Sequence, residues 1–251
     1  MTDTSARSFD AAFGAVAHVE GWMTEDQAKL LWQEASRCTA GDQIVEIGSF
    51  RGRSAVILAR AAPGGVAVVA IDPHLGTDRG PQEITTTAQL GQSDHEAFTA
   101  NLAAAGVAER VRHVRELSSA AHDQVTGAVD LLYIDGAHRY GPARADIVQW
   151  GGRVREGGTL LIHDSWSSIG VTLALLTTLV WSADWTYVGR AQSMTQYRRV
   201  PVRGRGRTKN VVRQLAELPW FARNVVIKAL MVARLGRLTR LLGHDGETWP
   251  Y

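Results

Sequence analysis

The residues best suited to chemistry stand directly after apolar runs. Asp135 closes VDLLYID and Asp164 closes GTLLIHD. Two acids at neighbouring strand ends can converge on one hard cation whose shell is completed by water; two unrelated capping acids give the same pattern. His138 follows Asp135 by three residues. An imidazole that titrates near neutral pH suits abstraction of a proton from an acceptor, whereas a histidine in a surface turn looks no different in sequence. His163, inside the strand end beside Asp164, reads as a supporting or core residue. Trp166 offers a stacking platform for a sugar, or simply core.

A second group surrounds the run IVEIG and the loop Gly48-Ser49-Phe50-Arg51-Gly52-Arg53-Ser54. Glycines let the backbone approach a ligand, and a helix opening near Arg53 aims free N–H groups at it. The spacing is neither G-x-G-x-x-G nor a Walker loop, since no Gly-Lys-Ser/Thr follows. Glu46 lies inside the strand, where an ionised acid needs a partner, and a bound cationic group supplies one. Asp72, ending VAVVAID, can accept from both hydroxyls of a ribose; as a turn cap it would do neither. Ser118, after RVRHV, either faces an adenine edge or caps the next helix.

These positions require strands that deliver them to one edge. The runs at 44–48, 66–72, 110–114, 129–135 and 158–164 read as strands, and residues 54–62, 142–150 and 169–180 as helices between them. Thr24 with Gln27 reads as a capping box for an earlier helix, and Ser93 with Glu96 as the start of another. DWTYVGR and MTQYRRV read as two late strands. Near-continuous apolar strands alternating with helices mean a parallel sheet covered on both faces, and ligands of such sheets bind beyond the carboxyl ends of the strands.

Composition narrows the classes further. The chain has 251 residues, 45% hydrophobic and 21% charged, enough for one α/β domain with an appendage. Its single cysteine, Cys38, excludes an intramolecular disulfide framework and a Cys-rich zinc site. The N-terminus lacks a signal-peptide pattern and no apolar stretch has membrane-span length, so a cytoplasmic location is expected. The net charge of +2 hides an asymmetry. Residues 1–197 hold 15 basic and 22 acidic side chains, and residues 198–251 hold 12 and 3.

VEIGSFRGRSA, AID, VDLLYIDGAHRY and GGTLLIHD, in that order within residues 19–200, resemble the class I S-adenosylmethionine-dependent methyltransferases. Within them the chain is similar to the metal-dependent bacterial sugar and macrolide O-methyltransferases, and more distantly to the catechol O-methyltransferases. The resemblance implies a Rossmann-like fold with a seven-stranded, mostly parallel sheet whose last strand is antiparallel. It implies that Glu46, Gly48, Ser49, Gly52 and Ser54 surround the methionyl part of S-adenosylmethionine, with Asp72 on the ribose, Ser118 near adenine and Asp135 at the cofactor's edge. It further implies that Asp135 and Asp164 hold Mg²⁺ or another divalent cation, and that His138 is the general base. Relatives often carry a further Asp or Asn after the second metal acid; here that place holds Ser165, or a water, as third ligand. The implied acceptor is a hydroxyl of a sugar, an oligosaccharide or a glycosylated small molecule, including mannosides of polymethylated polysaccharides.

Two stretches lie outside these motifs. The polar segment from His74 to Asp94 reads as a substrate lid, with His74 and Asp78 touching the acceptor. The chain divides into a methyltransferase domain (1–200) and a basic helical extension (201–251). RRVPVRGRGRTK reads as a flexible link, and the segment after Pro219 as a basic helix. Its wide apolar face, broken by Lys228, fits packing on the domain or on a second subunit of a homodimer; an anionic membrane surface is the other expected partner, and nucleic acid is not expected. An NAD-dependent oxidoreductase would share the first loop and Asp72 but leave Asp135, His138 and Asp164 unexplained. A non-catalytic, membrane-associated scaffold would not need them at all.

Overall fold

The computed structural model describes residues 8–77 and 87–245. Along the chain run α1 (Phe9–Ala15), α2 (Glu25–Ser36), β1 (Gln43–Ile47), α3 (Arg53–Ala61), β2 (Ala67–Ile71), α4 (Ala88–Ala104), β3 (Val111–Val114), β4 (Val129–Ile134) and α5 (Tyr140–Gln149). There follow β5 (Val154–Ile162), α6 (Ile169–Thr177), β6 (Thr186–Ala191), β7 (Met194–Arg198), α7 (Gly204–Leu215) and α8 (Leu218–Val232). The seven strands form one sheet in the order β3-β2-β1-β4-β5-β7-β6. β1 to β5 pair in parallel with one another, and β7 runs antiparallel to both β5 and β6. The strand order reverses between β1 and β4, which opens a crevice at their carboxyl ends.

Side-chain alternation assigns each strand residue to a face. Ile44 joins the core beneath α2 and α3, with Leu31 and Val56. Val45 and Ile47 join the opposite core, with Ile147, Leu175 and Trp185. The central strands are apolar on both faces, as a sheet covered on both sides demands. Glu46 has the parity of Ile44 and is fully buried.

Local signals placed some boundaries and missed others. The α2 capping box is formed: Gln27 N–H donates to Thr24 Oγ1 at 3.4 Å and Thr24 N–H to Gln27 Oε1 at 2.8 Å. α4 starts earlier than Ser93, because Thr87 Oγ1 already accepts from Leu90 N–H at 3.2 Å. Ser93 is therefore inside the helix and no cap, and residues 88–94 of the expected lid are helical. Asp78 and the rest of that lid reading, residues 78–86, lie outside the described residues. α5 starts at Tyr140, which puts Pro142 in its first turn, where a missing N–H costs nothing.

Half of the expected flexible link, residues 204–209, is instead the first part of the helix α7. One side of it docks on β6: Tyr187 N–H donates to Asn210 Oδ1 at 2.8 Å, and Asn210 Nδ2 donates to the Trp185 carbonyl at 3.0 Å. Glu217 then accepts from Arg190 Nε at 2.8 Å, while that guanidinium lies 3.8 Å from the Trp220 ring centroid. Among the described residues no helix is long and apolar enough to cross a membrane.

Candidate active site

The carboxyl ends of β1, β2, β4 and β5 open into a cleft of about 420 Å³. Backbone conformation shapes its β1–β2 end. Gly48 (φ 85°) passes so close to the β4 exit that an added Cβ would lie 2.2 Å from the Asp135 carbonyl oxygen. Gly52 (φ 85°) caps α3 in the left-handed region, where side chains are strained. Asp72 ties the loops together. Its Oδ2 accepts from the N–H groups of Ser49 (2.9 Å) and Phe50 (2.8 Å), and its Oδ1 from that of His74 (2.8 Å). A carboxylate has about four lone-pair sites, so one remains for a ribose hydroxyl.

Glu46 sits one layer below the cleft wall. Ser49 Oγ donates to its Oε2 at 2.7 Å, and Ser54 also bonds it. Its Oε1 is buried without a hydrogen-bond partner. Burial pushes its pKa up to about 7, and the charges of Asp135 and Asp72 add to that. Glu46 thus reaches a ligand through Ser49 and Ser54, which line the cleft, rather than by direct contact. Ser118 caps no helix with its hydroxyl; it donates to Asp146 Oδ1 at 2.5 Å, and both residues line the cleft.

Side chains build the β4–β5 end. Tyr133 Oη donates to Asp135 Oδ2 at 2.8 Å. His163 stands between the two acids, with Nδ1 3.1 Å from Asp135 Oδ1 and 3.6 Å from Asp164 Oδ2. Its Nε2 lies 3.3 Å from Gln27 Oε1, an atom fixed as oxygen by the Thr24 N–H it accepts. Nδ1 thus faces two carboxylates at ion-pair distance, which favours the protonated ring. Burial opposes that charge, yet the two acids push its pKa up to about 10. His163, expected as a supporting or core residue, is the side chain that stands against both acids of this cluster.

His138 Nε2 lies 2.6 Å from Asp164 Oδ2. Burial draws the imidazole pKa down, but the hydrogen bond and charge of Asp164 outweigh it and raise the value. Asp164 itself is held well below the usual range by His163 and His138, despite its burial. It adopts φ 54°, unusual for a non-glycine residue, and its Oδ1 is buried without a hydrogen-bond partner. Gly170 holds the His138 turn from behind: an added Cβ would lie 2.2 Å from the His138 carbonyl oxygen.

Two expected contacts fail. Ser165 Oγ donates to the Ile162 carbonyl at 2.9 Å and shares a 2.7 Å hydrogen bond with Thr195 Oγ1, so it is not placed as a third metal ligand. Trp166 is fully buried in the core under α5 and α6 and cannot stack on an acceptor. His74 does line the cleft, but its Nε2 is bound 2.7 Å from the Phe50 carbonyl and its ring packs against His95 and His113. The aromatic wall is Trp22, 38% exposed, with its ring centroid 5.5 Å from that of Phe50. Trp22 carried no motif, and Gln27 only that of the α2 capping box.

Comparison with known proteins agrees with this geometry. Residues 45–165 match the family model described as a methyltransferase domain. The O-methyltransferase TomG from Streptomyces achromogenes, solved with SAM, is 21% identical, with a TM-score of 0.53 over 76% of this chain and 89% of TomG. Cofactor-bound Rv0187 from MTB is 20% identical, with a TM-score of 0.54 over 80% and 91%. The O-methyltransferase NovP is 15% identical, with a TM-score of 0.53 over 72% and 83%. The expected fold is borne out, and residues 45–165 match a methyltransferase domain, the enzyme class expected.

Proposed function

We propose that the protein transfers the methyl group of S-adenosylmethionine to a hydroxyl of a sugar, an oligosaccharide or a glycosylated small molecule; a mannoside is one such acceptor. The observation that carries this reading is His138 in the cleft, bound to Asp164 beside Asp135. Asp164 takes one ring nitrogen and leaves Nδ1 as the other basic position. As the acceptor oxygen attacks the sulfonium methyl, its proton passes to His138 and S-adenosylhomocysteine departs. Asp164 orients the ring and stabilises the imidazolium formed, as in other Asp–His pairs. Glu46, Asp72 and Asp135 surround the loop with negative charge suited to a cationic sulfonium cofactor, and Trp22 offers a face for a sugar ring. TomG and NovP, described as O-methyltransferases, support oxygen as the acceptor atom.

The donor set also suits a hard divalent cation such as Mg²⁺. Asp135 and Asp164 would hold it, with the unpartnered Asp164 Oδ1 as one oxygen. Such an ion lowers the pKa of a bound hydroxyl and fixes its orientation. His163 favours a second, metal-independent reading, because its imidazolium already sits between the acids. Turnover of labelled S-adenosylmethionine with a panel of mannosides and polyketide glycosides, in excess EDTA and then with Mg²⁺, separates the two. Methylation lost in EDTA and restored by Mg²⁺ is the expected result. Full turnover in chelator sinks metal dependence, and transfer to nitrogen or sulfur acceptors alone sinks the reading as a whole.

A further inference from the structure

A separate cluster lies behind Asp72, on the side of the sheet covered by α4. His74 leaves β2, His113 is on β3 and His95 is on α4, and one ring nitrogen of each lies within 4.8 Å of the others. The fold brings them together deliberately close. Gly91 of α4 touches the β2 exit so tightly that an added Cβ would lie 2.1 Å from the His74 carbonyl oxygen. His95 follows Gly91 by four residues and so occupies the same helix face.

The hydrogen bonds determine which ring atoms carry lone pairs. His74 Nε2 lies 2.7 Å from the Phe50 carbonyl, and His113 Nε2 lies 3.2 Å from the Asp72 carbonyl. A carbonyl only accepts, so both nitrogens must be donors, and in the neutral rings both Nδ1 atoms are bare acceptors. Carbonyl bonds of this kind fix the tautomer of metal-binding histidines. His74 Nδ1, on a side chain only 1% exposed, is buried without a hydrogen-bond partner, and so is His95 Nδ1. Asp72 Oδ1 stands 3.9 Å from His74 Nδ1 and adds negative charge.

The rings also stack with Phe98, whose centroid is 4.6 Å from that of His113. Stacking alone leaves the two buried Nδ1 atoms unsatisfied, at about 1–3 kcal/mol each. We propose that His74, His95 and His113 bind one divalent first-row transition cation of the zinc class, at a site distinct from Asp135 and Asp164. Imidazole selects such ions over Mg²⁺. Bond lengths of about 2.0–2.1 Å require the rings to close by roughly 1 Å, a movement the partly exposed His95 can supply. The bound ion would cross-link β3, α4 and the β2 exit, and so stiffen the Asp72 junction.

The test uses tag-free, full-length protein stripped by chelation and titrated with Co²⁺ alone. One equivalent should bind with the intense visible spectrum of four-coordinate cobalt, displaced by Zn²⁺ and not by Mg²⁺. His95→Ala should keep the metal-free melting temperature and lose at least about 100-fold in Co²⁺ affinity, while His95→Cys should retain binding with a new thiolate charge-transfer band. Asp135→Ala should leave the titration unchanged. Absence of one-equivalent binding, an unaltered titration in His95→Ala, or its loss in Asp135→Ala overturns the proposal. No outcome depends on the acceptor or on turnover, so failure here is separable from failure of the methyl-transfer reading.

Discussion

The two ends of the cleft hold their acids by different means. At the β1–β2 end Asp72 is gripped by backbone N–H groups of Ser49, Phe50 and His74, which almost any residue supplies. What the sequence must provide there is conformation: glycine at 48 and 52, and positive φ at Phe50 and His74. At the β4–β5 end the acids are gripped by side chains, Tyr133, His138 and His163. Removing His138 or His163 takes a partner from the buried charge of Asp164, which costs several kcal/mol. A backbone-built end gives a fixed mould for a constant cofactor. An end built from titrating side chains can exchange protons, which methyl transfer to a hydroxyl requires.

That contrast makes its largest prediction at His138. His138→Ala should lower turnover by about 10²–10⁴-fold, the usual range for a general base. The dissociation constant for S-adenosylmethionine, measured by calorimetry, should stay nearly constant, because the β1–β2 end is intact. Equal losses in turnover and cofactor affinity would mean that the two ends are one structural unit and that His138 merely supports it.

The same contrast explains what the sequence made legible. Asp72, Asp135, His138 and Asp164 follow apolar runs, so period and topology alone place them at the cleft. The parallel sheet was readable because each central strand is apolar on both faces. Ser165 and Trp166 were misplaced because left-handed backbone at Asp164 and Trp166 redirects the chain beyond β5, and no residue type there announces it. His163 was undervalued because its charge depends on Gln27 and Asp135, which are distant in sequence and meet only in the fold. The α7 helix was missed because Gly204 and Gly206 disfavour a helix at its start, while the docking of Asn210 on β6 decides it.

Glu46 tests the cofactor end through pH. Its pKa is raised from 4.5 to about 7. The folded state therefore keeps a proton that the unfolded chain has released, and stability falls as pH rises between those values. For this fully buried group the loss amounts to about 3 kcal/mol in the cofactor-free protein. Glu46→Gln should flatten the decline in unfolding free energy between pH 4.5 and 7 and weaken S-adenosylmethionine binding about tenfold at pH 8, with turnover at saturating cofactor little changed. Parallel stability curves for the two proteins would show that Glu46 does not titrate in this window, and the electrostatic account of this end would fail.

The smallest effect is expected where the C-terminal helices meet the chemistry end. Lys228 Nζ donates to the carbonyl and the hydroxyl of Ser167 at 3.0 and 2.9 Å, and its charge favours the ionised form of Asp164. Asn224 Nδ2 reaches the Trp166 carbonyl at 3.5 Å. α8 thus clamps the loop in which Asp164 and Trp166 adopt left-handed backbone. Burial pulls the Lys228 pKa down, so the lysine gains little from its own charge, and its hydrogen bonds to Ser167 are what the loop would lose. Lys228→Met keeps the apolar stem and removes those donors, for a stability loss of about 1–2 kcal/mol in denaturant titrations. Because the clamp acts on the β5 loop, kcat should fall a few-fold while the cofactor Kd stays fixed. A variant that instead weakens cofactor binding and spares kcat would place the influence of α8 at the opposite end of the cleft, and the division between a backbone-built and a side-chain-built end would no longer hold.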